Sequence, residues 1–352
     1  MIIGQGICGT FLSLELERAG ITHLVIDERR PFSASRCAAG LINPVTGRRI
    51  VTTWMIDELL PFAQEAYGWL EEALGASFFE PASVTDFFPT AQMRLAFLNR
   101  LEEGAPYLHL PVDEHAWDNY FHFELGYGVI SPCYLVDMPG LLEAARKRML
   151  ERGVLREERF GLSELVVNER GIRYRDVTAQ QVVFCDGIES FANPWFSRLP
   201  FAPNKGEVLI VEIEGLKDQG PTVFKKGFSI VPWGKDLFWI GSSYQWEFED
   251  GEPTTAFRQR TEAALREWLK GPFRTLDHLA SVRPATLERR PFVGFHPLEP
   301  AVGILNGMGT KGCSLAPWFA HQLVQYIAKG KPIMPEADIR RFSKVLGRTG
   351  ST

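Results

Sequence analysis

The spacing of apolar and polar positions changes several times along the chain, and each change marks an element. The chain opens on an apolar scrap, Met1 to Ile3, that runs straight into glycines. Thr10 to Ala19 spaces Phe11, Leu12, Leu14 and Leu16 between charges, which predicts a short amphipathic helix stopped by Gly20. His23 to Ile26 reads as a buried strand ending in Asp27 and Glu28. Ser33 to Arg49 is small and weakly periodic, an extended loop. Helices are predicted over Ile56 to Leu74 and Gln92 to Glu103, strands within the aromatic-rich stretch from Tyr107 to Tyr134, and a helix from Met138 to Arg152. Glu164 to Asn168 and Gln181 to Asp186 read as strands, the second ending in an acid-glycine turn. Lys205 to Ser243 alternates as antiparallel strands of a curved sheet do. A helix over Thr254 to Trp268, strand and turn over Leu279 to Gly294, a strand over Val302 to Asn306 and a helix over Ala316 to Ala328 follow. The basic tail after Met334 is expected to fray.

Strand, glycine turn, helix is therefore the grammar at both ends. Near the N-terminus the turn is Gly4-Gln5-Gly6-Ile7-Cys8-Gly9, with the spacing of a dinucleotide fingerprint. Gly4 suits the tight turn, Gly6 lets backbone approach a pyrophosphate, and Gly9 lets the helix pack close to the strand. The pyrophosphate would sit on the N-terminus of a helix beginning near Ile7, and Asp27 ends the next strand where a ribose diol wants an acceptor. The competing reading is a glycine turn without a ligand. Only Met1, Ile2 and Ile3 precede Gly4, where a strand usually has about five or six residues. The expectation is that the chain begins inside the strand and that the short strand lowers cofactor occupancy. At the other end the turn is Gly307-Met308-Gly309-Thr310-Lys311-Gly312.

A length of 352 residues favours two domains, and 45% hydrophobic with 23% charged residues is ordinary for a globular protein. The net charge of -5 and the absence of a basic stripe beyond Arg289 and Arg290 count against general nucleic-acid binding. No apolar run reaches the roughly 18 residues of a membrane span, and no export signal is evident. Five scattered cysteines without a CxxC pair argue for a reducing, cytoplasmic setting without structural zinc or a redox disulfide. The seven histidines show no metal-ligand spacing, and no GxSxG elbow is present. No metal site is expected, and a cofactor has to carry the chemistry.

These motifs together resemble, over essentially the whole chain, the FAD-dependent D-amino acid oxidase superfamily, in its glycine oxidase and sarcosine oxidase-like branch. The matching pieces are GQGICG with Asp27, SRCAAGL at Ser35 to Leu41, VVFCDG near Asp186, PNKGEV at Pro203 to Val208, VRPATLERRPFVG at Val282 to Gly294 and NGMGTKGCSLAP at Asn306 to Pro317. The resemblance implies an α/β chain, α+β overall, with a Rossmann-like FAD-binding domain and a second, antiparallel-sheet substrate domain. The first would comprise residues 1–75, 135–200 and 280–352, the second residues 76–134 and 201–279. It implies that Gly4, Gly6, Ile7 and Gly9 bind the FAD pyrophosphate, Asp27 with Glu28 beside it the adenosine ribose, and Ser35 and Arg36 the phosphate side. Gly40 and Leu41 would run beside the isoalloxazine, and Phe160 would meet adenine through its backbone. Gly307, Gly309, Thr310, Lys311 and Gly312 would lie by the flavin's pyrimidine edge. Arg283 matches the arginine that holds a substrate carboxylate, with pairing to Asp277 as the competing reading. Tyr244 and Trp246 are either pocket walls or core aromatics, and Lys311 faces flavin or substrate.

Two departures bear on function. No cysteine lies where sarcosine oxidases tether their flavin, so FAD is expected to be noncovalent. The NPVTGRR stretch is atypical, and Arg48 or Arg49 would read a substrate group that relatives lack. The implied reaction is oxidation of a small amine or amino acid by hydride transfer to flavin N5, giving an imine that hydrolyses, with oxygen or an unknown acceptor taking the electrons. The alternatives are an NAD(P)-dependent dehydrogenase, a flavin dehydrogenase with a non-oxygen acceptor, a tRNA wobble-uridine-modification-type oxidase and a noncatalytic flavoprotein.

Overall fold

Val25–Ile26, Val182–Phe184 and Val302–Asn306 are nearly continuous apolar runs, and such runs form strands buried on both faces. In the computed structural model, which describes residues 1–47, 49–216, 218–234 and 236–347, they belong to one six-stranded sheet. Its order, edge to edge, is Phe292–Phe295, Val302–Asn306, Val182–Phe184, Ile2–Ile3, Val25–Ile26 and Leu155–Arg156. All neighbours are parallel except the first pair. Ile2–Ile3 is short but paired on both sides, against Val183–Phe184 and Val25–Ile26.

Seven helices punctuate the chain among the described residues: α1 (Ile7–Arg18), α2 (Ile56–Leu74), α3 (Ala91–Glu102), α4 (Met138–Glu151), α5 (Thr255–Trp268), α6 (Gly312–Lys329) and α7 (Ser343–Leu346). Helix α1 is buried on every side from Ile7 to Leu16, against the expectation of an amphipathic helix. It lies between the sheet, α4 and α6, so its polar residues are paired internally. Thr10 accepts from Gln5 Nε2 (3.1 Å), Ser13 meets His23 (2.8 Å) and Glu15 meets His321 (3.1 Å).

Helix α6 begins at Gly312, one turn before the expected Ala316. Pro317 suggests a helix start from sequence, but here it lies inside the helix and lacks the N–H that the Cys313 carbonyl would otherwise receive. The Tyr67 hydroxyl from α2 donates to that carbonyl instead (3.0 Å). The tail does not fray through Gly347: Ala337 and Ile339 are fully buried, Leu346 is buried, and Ile339–Phe342 form a 3₁₀ turn ahead of α7.

The second, nine-stranded sheet runs Phe273–Arg283, Asn204–Ile213, Phe238–Gly241, Phe228–Pro232, Thr222–Lys226, Phe79–Phe87, Tyr127–Val136 and Leu41–Ile42, with Leu108–His109 alongside Tyr127–Val136. It is antiparallel apart from Thr222–Lys226 beside Phe79–Phe87. One face buries Leu209, Val211, Phe224 and Ile240 under Phe257, Leu265 and Trp268 of α5. The other buries Val84, Val208, Val223 and Trp239 against Ala39 and Leu41 of the segment leading from the first sheet. Trp239 Nε1 donates to the Cys37 carbonyl (3.0 Å), tying that face to the loop after Asp27.

Candidate active site

Gly4 has φ +95°, and a Cβ there would stand 2.6 Å from the Cys185 carbonyl oxygen; a Cβ on Gly9 would stand 1.9 Å from the Gly4 oxygen. Both positions exclude a side chain, which lets α1 start directly on the end of the central strand. The first turn of α1 has no acid and no side-chain cap at Gly6. Ser35 Oγ accepts from Ile7 N (3.0 Å), so the loop carrying Ser35 and Arg36 lies across the helix start. Arg36 is half-buried and forms no ion pair among the described residues; burial holds its pKa below the usual range, beside Asp27 and Arg146.

Asp27 lies at the end of Val25–Ile26. Its carboxylate accepts from Gln5 N (2.9 Å), Arg29 N (2.8 Å) and Arg146 Nη1 (2.7 Å). A carboxylate offers about four acceptor positions, so one is left for a ribose hydroxyl. Arg146, 1% exposed on α4, was not singled out from sequence. It also binds Glu157 (2.8 Å) and Gln5 Oε1 (3.2 Å), and so ties α4 to the glycine turn. Glu28 pairs instead with Arg30 and Arg159. The Phe160 ring packs on Tyr174 (4.8 Å) and Phe184 (5.8 Å).

The second glycine turn follows Val302–Asn306. Asn306 Nδ2 donates to the Gly187 carbonyl (2.8 Å) and to Ser190 Oγ (2.9 Å), which joins this turn to the Asp186-Gly187 turn. A Cβ on Gly312 would stand 3.3 Å from Ile7 Cγ2, so the starts of α6 and α1 adjoin. Neither helix start has a side-chain cap or an acid in its first turn. Two adjoining N-termini whose own cap residues supply no side-chain acceptor, at the ends of parallel strands, suit an extended, anionic dinucleotide. Thr310 is exposed. Lys311 turns its amine to the Asn43 carbonyl (3.3 Å) and Thr53 Oγ1 (3.4 Å), and burial pulls its pKa down to about 8. Gly40 and Leu41 lead into the strand beside Leu135. Arg49 is exposed, and Arg48 lies outside the described residues.

Arg283 ends the long edge strand Phe273–Arg283, whose start lies ahead of the expected Leu279. Its Nη1 donates to Asn204 Oδ1 (2.7 Å) and the Ser243 carbonyl (3.3 Å), its Nη2 to Ser242 Oγ (2.8 Å), and its carbon lies 4.8 Å from the Tyr244 ring centroid. Asp277 does not pair with it: that carboxylate accepts from His278 N (2.8 Å). The guanidinium is thus held by neutral acceptors, and burial depresses its pKa. Tyr244 and Trp246 are each 59% exposed, so neither is a core aromatic.

No group of three or more His, Cys, Asp or Glu suited to a metal occurs among the described residues, and no helix there is long and apolar enough to cross a membrane.

Comparison with known proteins places the fold and the family. A curated relative, the tRNA 5-methylaminomethyl-2-thiouridine biosynthesis bifunctional protein MnmC of Idiomarina loihiensis, is 24% identical across 97% of this chain, which spans 57% of that protein's length. Among solved structures, glycine oxidase from Geobacillus kaustophilus matches with a TM-score of 0.77 at 18% identity, covering 99% of this chain and 98% of that one. Iminodiacetate oxidase from Chelativorans sp. BNC1 matches with a TM-score of 0.75 at 20% identity, covering 97% and 98%. These two likenesses establish a shared fold. Residues 1–326 match the family of FAD dependent oxidoreductases designated DAO, and the chain belongs to that family of enzymes.

Proposed function

We propose that the protein oxidises a small amine or amino acid at the carbon beside nitrogen, with FAD held noncovalently, and releases an imine that hydrolyses in water. When bound, FAD supplies the hydride acceptor and hands the electrons to oxygen or another carrier. The six-stranded sheet, within residues 1–75, 135–200 and 280–352, holds the cofactor through Gly4, Gly6, Ile7, Gly9, Asp27, Ser35 and Arg36 and through the turn from Gly307 to Gly312. The nine-stranded sheet would bring Arg283 to the substrate.

The observation that carries this reading is Arg283: a desolvated guanidinium, fixed by Asn204 and Ser242, with no carboxylate of its own. Such a planar fork is suited to a substrate carboxylate. Docking there, with Tyr244 against the guanidinium, would orient the reacting C–H and exclude water. Noncovalent attachment is supported by the cysteines. All five are buried, and burial raises the thiols of Cys8, Cys133 and Cys313 to about 12, too high for a nucleophilic thiolate. Free cysteines also favour a cytoplasmic setting.

The test is an absorbance spectrum of the purified protein, followed by anaerobic mixing with glycine, sarcosine, iminodiacetate and D-amino acids. Flavin bands that bleach with one of them support the reading; a flavoprotein that none of them bleaches refutes it. Acid precipitation should release the flavin, and peroxide formation separates oxidase from dehydrogenase. A second reading, oxidation of a group carried on a tRNA wobble uridine, draws on the MnmC match. Bleaching by undermodified tRNA but by no free amino acid would favour it.

A further inference from the structure

The atypical NPVTGRR stretch opens at Asn43, whose carbonyl accepts from Lys311. Val45–Thr46 and Val51–Thr52 pair as a small hairpin, and Thr53 Oγ1 donates to the Asn43 carbonyl (3.1 Å) across its base. Lys311 reaches this base from the start of α6. Gly309 N donates to the Pro284 carbonyl (3.3 Å), which joins the turn carrying Lys311 to the strand end carrying Arg283.

A third cation faces the same way. Arg283 alternates with Ser281 and Leu279 on one face of the sheet, and Leu279 is in register with Val208, then Gly241, Ser229, Lys225 and Asp86 across successive strands. Residues opposed in a ladder share a face, so Lys225 and Asp86 look the same way as Arg283. Lys225 lies close enough to Lys311 to help lower its pKa.

The charges on this face do not balance. Lys225 is neutralised by Asp86 (2.7 Å). Among the described residues, the polar contacts of Arg283 are with neutral oxygens and the Tyr244 ring, and those of Lys311 with the Asn43 carbonyl and the Thr53 hydroxyl. Holding two desolvated cations without counter-charges is costly. One substrate carboxylate would satisfy Arg283 and leave Lys311 unmatched.

We infer that the substrate is an amine or amino acid with two anionic groups, one carboxylate on Arg283 and a second anionic group on Lys311, which makes Lys311 a specificity-determining residue. This rests on the amine-oxidation reading above. The rival role for Lys311 is to offset negative charge on the reduced flavin, and the two roles separate experimentally.

The experiment uses the FAD-loaded protein and pairs of ligands that differ in one charge: D-glutamate against D-glutamine, and N-(2-carboxyethyl)glycine against N-propylglycine. Binding is read from perturbation of the flavin absorbance, or anaerobic bleaching where turnover occurs. At least one acid should bind about tenfold or more tighter than its neutral counterpart. Lys311→Met should reduce that preference to near parity and leave the flavin midpoint potential unmoved, whereas Arg283→Met should weaken both members of the pair. Equal affinity within each pair overturns the inference, as does a Lys311→Met variant that keeps the acid preference or lowers the potential while weakening both ligands alike. If no acid perturbs the flavin the inference also falls. Bleaching by a one-carboxylate amino acid would then leave the amine-oxidation reading standing, and no response to any of them would take that reading down too.

Discussion

The two ends of the site are built differently. At the glycine turns, contacts are made by backbone and by residues close in sequence or on neighbouring parallel strands: Gly9 against Gly4, Ser35 on Ile7, Asn306 on Gly187. At the proposed substrate face, Arg283 is positioned by Asn204 and Ser242, residues 79 and 41 positions away, on or just beyond two other strands. The proposed cofactor end is preorganised by steric exclusion, with Asp27 already engaged by three donors. At the proposed substrate end, Arg283 is held by neutral oxygens among the described residues. A dinucleotide is the same for every member of the family, so its cradle can be fixed in backbone, whereas substrate recognition is left to side chains that substitution can alter without disturbing the cradle.

The sharpest way to break this comparison is to remove the Arg283 charge. Arg283→Ala should raise KM by about 100-fold or more, the scale of losing a desolvated charge-assisted pair worth roughly 2–5 kcal/mol. FAD content should stay as in the wild type. Steady-state kinetics beside flavin quantitation checks this, and an unchanged KM removes Arg283 from the substrate role. The reciprocal change is Gly9→Ala, whose Cβ would stand 1.9 Å from the Gly4 oxygen. It should cost roughly 1–3 kcal/mol of stability through overpacking and lower FAD occupancy. Substrate KM of the molecules that still hold flavin should barely move. A variant with full flavin and a shifted KM would show that the two ends are not separable.

Asp186 sharpens the comparison because it places an ionisable group between the two glycine turns. Burial raises its pKa from 3.8 to about 7, with the Ser190 hydroxyl on its carboxyl and Glu189 and Arg30 in its field. The folded state therefore keeps a proton that the unfolded chain loses near pH 4. Its stabilising contribution is complete below pH 3.8 and is lost as pH rises through about 7. Asp186→Asn should flatten the decline in stability across that window, read by denaturant unfolding at several pH values. An unchanged slope would mean that the carboxyl is ionised in the fold.

The same contrast explains what the sequence disclosed. The glycine spacing, Asp27, α2 and Val302–Asn306 were legible because each depends on local steric or periodic rules. Strand Phe79–Phe87 passed unread because Glu80, Pro81 and Asp86 interrupt its alternation, and their neighbours across the sheet come from distant segments. Arg146 has no local signature, since its importance lies in joining α4 to Gln5 and Asp27. Helix α1 misled in the other direction: its charges suggest a solvent face, yet Glu15 finds His321, more than 300 positions away. Helix α6 begins a turn ahead of Ala316 because Pro317, which interrupts its bonding, is compensated from another helix.

That repair gives the smallest and most local test. Pro317 cannot donate to Cys313, and Tyr67 supplies the missing donor from α2 while its ring stacks on Phe79 (4.7 Å) and meets Phe11 edge-on (5.3 Å). Tyr67→Phe keeps the rings and removes only the hydroxyl. The Cys313 carbonyl then loses its partner in a buried setting, which should cost about 1–2 kcal/mol. The loss should appear in denaturant unfolding with no change in substrate preference, because Tyr67 and Cys313 are packed in the core beside the first sheet, away from the sheet face carrying Arg283. Pro317→Ala restores the helix's own donor, so the double variant should recover part of the loss. If the two substitutions are instead additive in stability, the Tyr67 hydroxyl is not standing in for the missing helix bond, and the early start of α6 is held by its own first turn, where Ser314 N and Leu315 N donate to the Lys311 carbonyl.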